Sequence, residues 1–329
     1  MQFSVEGWDP GYGSPVEIQE LTDTASKVDA TLEVPSSEWA PITSKAAAVP
    51  EVVLFVDGVR RIDARAWIDD APAAGGNGRR AVPGLCASYA AGVVRSSAIG
   101  AEVVASEVRR ALFTDAVTAD DIRTASGAYH HHHVVIPKET PPNMALTNAI
   151  QRALMTLEVT VAVESRTQAT SNSDDDLLIV DGPLRDRDHL PRALGYIKTH
   201  HAQYLPADLN GIVAELKTGD RTPVFAIGAG WDRYSWYLRL PCLPAGPWAG
   251  IVRLEAATSL KLAEVVALAE VTQSLLGRFA SVEYKDGRAP QNLVPIAGLE
   301  WELKHKLGLA PLVYRSIRSA AHVPAAVTF

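Results

Sequence analysis

Three carboxylates in this chain stand where chemistry could be done. Asp57 ends the apolar run Val52 to Val56, and Asp181 ends the apolar run Leu177 to Val180. Continuous apolar runs of this length suit strands buried on both faces. A carboxylate at the carboxyl end of such a strand sits where ligands collect in open α/β sheets. Glu158 borders the stripe Ile150, Leu154, Leu157 and Val161, in a helix expected to run from Pro141-Pro142 to about Ser165. Oxygen donors of this kind suit Mg²⁺ or Mn²⁺. Two such ions about 4 Å apart can activate water and stabilise the leaving oxygen of a phosphodiester. Gathering the acids raises like-charge repulsion, which the cations offset. Taken singly, each acid reads equally well as part of a strand-end turn or a helix edge.

The elements that must position these acids follow from patterning. Asp181-Gly182-Pro183 breaks the second apolar run. Asp188 is then expected to cap a helix carrying Leu190, Leu194 and Ile197 on one face, with Lys198 at its far end, where it could meet a phosphate or the nucleophile. After Asp57-Gly58, Arg60 to Asp69 alternates as a hairpin partner strand would. Val82 to Val94 and Glu102 to Phe113 read as further strands, so a meander should lead into a mixed sheet. A short helix is expected over Asp120 to Ser126, then a loop holding His130-His131-His132-His133. Consecutive loop histidines rarely converge on one ion. Later come a helix over Ala207 to Lys217, strands at Val224 to Gly228, Ser235 to Leu240 and Ile251 to Ala256, and a long helix over Ser259 to Phe279. Helices at Val294 to Leu307 and Pro311 to Ala321 follow. Residues 1–48 read as an arm, with Gln19 to Ala30 a possible helix, and residues 49–329 as the main domain. The fold class expected is α/β.

Composition narrows the function classes. In 329 residues, 38 acidic side chains exceed 31 basic ones, giving a net charge of −7. A bulk electrostatic coat on nucleic acid is therefore not expected, although Arg60-Arg61 with Arg65, Arg185-Arg187-Arg192 and Lys304-His305-Lys306 are locally basic. Cys86 and Cys242 provide neither a disulfide framework nor zinc spacing. Gly75-Gly76-Asn77-Gly78 lacks the strand-to-helix setting and lysine of a phosphate loop. The longest apolar segment, Leu260 to Phe279, is broken by Lys261, Glu264, Glu270 and Arg278, so no membrane span is expected. The amino terminus lacks a basic-then-apolar leader, and a cytoplasmic location is the expectation.

FVDGV (55–59), ALMTLE (153–158), LLIVDGPL (177–184) and GYIKTHH (195–201) in this order resemble the motifs of the NurA-type nucleases. RTPVFAIG (221–228), SWYLRL (235–240) and GIVRLEAA (250–257) resemble that family's second half, so the likeness spans about Val49 to Gly308. The resemblance implies an RNase H-like mixed sheet flanked by helices and a manganese- or magnesium-dependent deoxyribonuclease with two ions. It also implies a homodimer partnered with a hexameric HerA-type ATPase, acting in DNA end resection, repair or phage defence. Carried onto this chain, Asp57, Glu158 and Asp181 would be the metal ligands and Lys198 the basic residue of the site.

The chain departs from the family at two points. Val59 follows Gly58 where the family's first motif has Ser, and Pro295 to Glu300 lacks the histidine many members carry there. Glu300 or His305 could stand in for it, and Glu164 is the alternative helical ligand. Two other readings stay open. One is a catalytically weak adaptor that guides DNA for the ATPase. The other is a restriction-type nuclease built on Glu215-Leu216-Lys217, which would need a strand at Glu215.

Overall fold

The computed structural model describes Trp8, Tyr12, Ser14 and residues 22–23, 26–70, 80–168, 176–228, 230–243 and 245–321. The glycine-rich segment 75–78 lies outside them. In chain order the elements are β1 (Thr22–Asp23), β2 (Lys27–Asp29), β3 (Val52–Asp70), β4 (Arg80–Ser97), β5 (Gly100–Thr114), β6 (Ile122–Thr124), β7 (Gly127–His133), α1 (Pro142–Gln168), β8 (Asp176–Asp181), β9 (Ala193–Ile197), β10 (Ala202–Gln203), α2 (Ala207–Glu215), β11 (Phe225–Gly228), β12 (Asp232–Arg239), β13 (Ile251–Ala257), α3 (Leu262–Leu275), α4 (Val294–Lys306) and α5 (Ala310–Ala321). This is the expected α/β class. The chain forms two compact units, one of residues 1–56, 94–102 and 171–298, the other of residues 57–93, 103–170 and 299–329.

In the first unit the strand order is β2-β11-β12-β13-β9-β8-β3. The start of β3 runs parallel to β8, and β8 parallel to β9; the remaining pairs are antiparallel, so the sheet is mixed. Leu177, Leu178, Ile179 and Val180 of β8 are almost wholly buried, as a strand covered on both faces should be. Trp39, Leu209, Val213, Phe225 and Tyr237 form a core under α2. Glu33 clamps Arg221 through two 2.8 Å bonds and accepts the Val224 N–H at 2.7 Å.

In the second unit β3, β4, β5, β7 and β6 are neighbours in that order, with β5 and β7 parallel. Ala64, Cys86, Leu112, Tyr129, Val313 and Ile317 form a core. Burial pushes the Cys86 thiol up to about 12, so it packs as an apolar group. In chain order the meander strands are followed by the long helix α1 and then by β8, which runs parallel to the start of β3.

Five expected elements differ. β3 does not break at Asp57-Gly58 but continues through the alternating segment as one strand of 19 residues. Asp57 is therefore an interior strand residue. The segment after Asp188 is a series of turns and then β9, not a helix, because Pro191 removes an amide donor and Arg192 adopts a left-handed φ of 49°. The run Asp120 to Ser126 contains β6, and the four histidines lie on β7 instead of in a loop. Within Gln19 to Ala30 the described residues form β1 and β2, not a helix.

Candidate active site

Asp181 and Lys198 meet at the carboxyl ends of two parallel strands in the first unit. In register, Asp181 pairs with Tyr196, so a residue just past β9 reaches the end of β8. Lys198 Nζ donates to Asp181 Oδ2 at 2.8 Å and to Asn292 Oδ1 at 3.0 Å. Asn292 in turn donates to Asp286 at 2.6 Å, a chain that orients its oxygen toward the lysine. Both members of the ion pair keep only about 15% of their side-chain surface, 14% for Asp181 and 15% for Lys198.

The backbone that sets Asp181 is equally defined. Gly182 takes a φ of 104°, a left-handed value that side chains resist. Its N–H donates to Tyr196 O at 2.8 Å and its carbonyl accepts from Tyr196 N at 3.0 Å, pinning the turn to β9. Gly195 leaves room for that turn, since a methyl group there would stand 2.7 Å from Leu184 N. The Tyr196 hydroxyl donates to Gln291 O at 2.6 Å. Complete burial, then the Asp181 charge, raise its pKa well above the usual value, so it stays protonated.

A cavity of about 520 Å³ opens beside this pair, lined by Asp181, Arg185, Lys198, His200, Tyr204, Trp231, Arg233, Arg253 and Glu255 among others. Glu255 is buried at its floor. Its Oε1 accepts from Arg233 Nε and Arg253 Nη1, each at 2.7 Å, and its Oε2 accepts from Leu184 N at 3.0 Å. The Arg233 guanidinium lies 4.7 Å from the Trp231 ring centre, and the Arg253 guanidinium 4.8 Å from that of Tyr204. Burial lowers the His200 pKa to about 3, and its Nε2 meets Ile251 O at 3.2 Å, so it is a neutral packing residue. Sequence patterning does not single out Arg233, Arg253 or Glu255. The available signal was two charges spaced by two within the otherwise apolar strand IVRLEAA, whose every residue is buried.

In the second unit Asp57 and Glu158 are both buried, with 9% and 5% of their surface exposed. Asp57 Oδ1 accepts the Gly58 N–H at 2.7 Å. Glu158 stands over Gly58: a methyl group there would lie 2.6 Å from Glu158 Oε1 and 2.6 Å from Leu154 Cδ1. Glycine at 58 is thus what seats the α1 carboxylate on β3 next to the aspartate position. Ile150, Leu154, Leu157 and Val161 of α1 are buried as expected. Glu164 lies on an exposed part of α1.

The other residues singled out have local tasks. Glu300 accepts from Lys304 at 2.8 Å along α4, and His305 Nδ1 meets Trp301 O at 2.9 Å. Glu215 closes α2, so the strand that a restriction-type site needs at that position is absent and that reading fails. Alternation along β7 puts His131 and His133 on one face and His130 and His132 on the other, which prevents all four from sharing an ion.

By donor type Asp57, Glu158 and Asp181 fit Mn²⁺ or Mg²⁺, since all three offer carboxylate oxygens. Among the described residues no three or more Asp, Glu, His or Cys side chains form a group that could hold a metal ion. Among those residues, too, no helix is long and apolar enough to cross a membrane.

No family model and no curated protein matches this chain. Among solved structures it is similar to the NurA nuclease from Sulfolobus solfataricus, with 9% identity, a TM-score of 0.45, and 85% of this chain and 88% of that one covered. It is also similar to endonuclease V from Bacillus subtilis (13% identity, TM-score 0.34, 85% and 89% covered) and to the catalytic domain of human endonuclease V (17%, 0.37, 82% and 92%). All three neighbours are nucleases, and the first is of the kind that the motif order resembles.

Proposed function

We propose that this protein is a divalent-metal-dependent deoxyribonuclease in which Asp57, Glu158 and Asp181 bind Mn²⁺ or Mg²⁺ and Lys198 contacts a phosphate oxygen or the nucleophile. The observation that supports it most is one of register: Val56 pairs with Val180 across parallel β3 and β8, and each is followed by an aspartate. A hard cation would lower the pKa of a bound water and neutralise phosphate charge. The chain's own residues would do the rest. Gly58 seats Glu158, the Gly182 turn fixes Asp181, and Asn292 holds Lys198 in place. The motif order further suggests single-strand and end-processing activity, a homodimer, and work with a hexameric HerA-type ATPase in end resection, repair or phage defence.

Asp57→Ala and Asp181→Ala should each reduce Mn²⁺-dependent cleavage of single-stranded DNA by ~10³-fold or more, about 4 kcal/mol of barrier, while thermal melting still shows a folded protein. Cleavage retained in either variant sinks the assignment. A second reading, a DNA-guiding adaptor with weak catalysis, is favoured by the Asp181 carboxylate being bonded to Lys198. Wild-type protein inert on DNA with Mn²⁺, with and without an ATPase partner, would select it.

A further inference from the structure

The cavity beside Asp181 holds more positive charge than its fold requires. A buried ion pair balances one cation against one anion, but here Arg233 and Arg253, 4% and 5% exposed, share the single carboxylate of Glu255. Leaving a second buried guanidinium without a counter-charge is strongly unfavourable unless something else neutralises it. The hydrogen bonds of Arg233 use Nε and Nη1, and those of Arg253 use Nη1. Nη2 of each is therefore left with no acceptor among the described residues. With Arg185 and Lys198 the lining carries four fixed cations against the two anions Asp181 and Glu255, a surplus of two within the lining with the histidines set aside, Arg185 also lying 3.9 Å from the exposed Asp186 outside it.

That surplus selects among phosphates. An internal phosphodiester carries about one negative charge, whereas a phosphate monoester carries roughly −1.5 to −2 at neutral pH. Guanidinium forks suit phosphate oxygens. A volume of about 520 Å³ lies within the range of small-ligand pockets, and the rings of Tyr204 and Trp231 hold the arginines in place from the side. We propose that this cavity binds the terminal phosphate of a DNA strand, with Arg233 and Arg253 as its anchors, and so makes the protein dependent on the state of the strand end. This rests on the nuclease reading only in taking DNA as the ligand.

Binding can be measured without cleavage. The full-length protein in EDTA is titrated into three internally labelled single strands of one sequence, carrying a 5′-phosphate, a 3′-phosphate or hydroxyls at both ends, and anisotropy is read. One phosphorylated strand should bind at least tenfold more tightly than the hydroxyl strand, and inorganic phosphate should compete the difference away. Arg233→Gln, which leaves Arg253 and Glu255 as a matched pair, should cut the preference below threefold. Arg185→Ala, on an exposed side chain that cannot unfold the core, should weaken it partially. Equal affinity for all three strands overturns the proposal and makes an internal phosphodiester the occupant. End preference in a protein that cleaves nothing would sink the nuclease reading and leave the pocket standing. Cleavage with equal affinities would do the reverse.

Discussion

The two units each contain a cavity rich in arginine and histidine, and they hold their charges in opposite ways. In the second unit a cavity of about 420 Å³ is lined by Tyr89, Glu107, Arg109, Arg110, His130, His131 and His132 among others. Two of its polar side chains are paired at the surface, Arg109 donating to Glu107 at 2.7 Å and His130 meeting Asp121 at 2.8 Å, while Arg110 gives Nη2 to Leu307 O at 3.3 Å. In the first unit two guanidiniums crowd one carboxylate, and all three groups are buried. Matched and exposed charges are ordinary surface chemistry, worth little to stability. Unmatched and buried ones are held against a desolvation penalty, and that asymmetry makes a ligand-binding role worth testing in one cavity and not in the other.

The contrast breaks most visibly at Glu255. Glu255→Gln removes the carboxylate charge shared by Arg233 and Arg253 and leaves two buried cations facing each other. A loss of about 3–5 kcal/mol is expected, read as a lower denaturation midpoint, with partial recovery in high phosphate. A change below about 1 kcal/mol would mean that the arginines are solvated and the cavity is no more special than its counterpart.

A smaller effect in the first unit is read by pH at His200. The His200 pKa falls from the ordinary 6.5 to about 3 because burial disfavours the charged ring. The unfolded chain takes the proton first, so this contribution is complete above pH 6.5 and fades as pH drops toward 3, by about 1.4 kcal/mol per unit once well below 6.5. Melting between pH 7.5 and 5 should show the wild type losing stability, while His200→Phe, which keeps ring packing against Tyr237 and Trp248, loses less. Parallel curves would remove His200 from the account. In the second unit Gly58→Ala tests packing instead of charge. Its new methyl group meets Glu158 and Leu154 at 2.6 Å, so a cost of about 1–3 kcal/mol and a displaced Glu158 are expected.

Much of this was legible in the sequence, and its gaps have physical causes. Leu177 to Val180 announced a buried strand because nothing polar interrupts it, and the stripe from Ile150 to Val161 announced α1 by its period. Leu190, Leu194 and Ile197 imitated a helical face by spacing alone. Pro191 and the left-handed Arg192 decide for β9, and that change brings Lys198 to Asp181 by strand pairing. Asp57-Gly58 looked like a turn since both residues form turns, yet Gly58 is glycine to admit Glu158. The histidines of β7 show no apolar alternation because four imidazoles stand in a row, although their partners on β5 are Ala111, Leu112, Phe113 and Thr114. Arg253 and Glu255 were hidden by the expectation that buried strands are apolar; only their partners on β12 and in the Leu184 turn make them tolerable.

The smallest effect is the sharpest control. Arg109 and Glu107 are 44% and 38% exposed, two residues apart on one face of β5, and joined by a single 2.7 Å bond. Water competes for both partners, and two flexible side chains lose freedom in meeting, so Arg109→Ala should cost about 0.2–1 kcal/mol. It should leave the strand-end preference in EDTA within twofold of wild type, since the charge removed was already cancelled by its neighbour. If instead Arg109→Ala lowered DNA affinity as much as Arg233→Gln, a matched surface pair would be acting as a ligand site. Charge balance would then have lost its power to tell the two cavities apart.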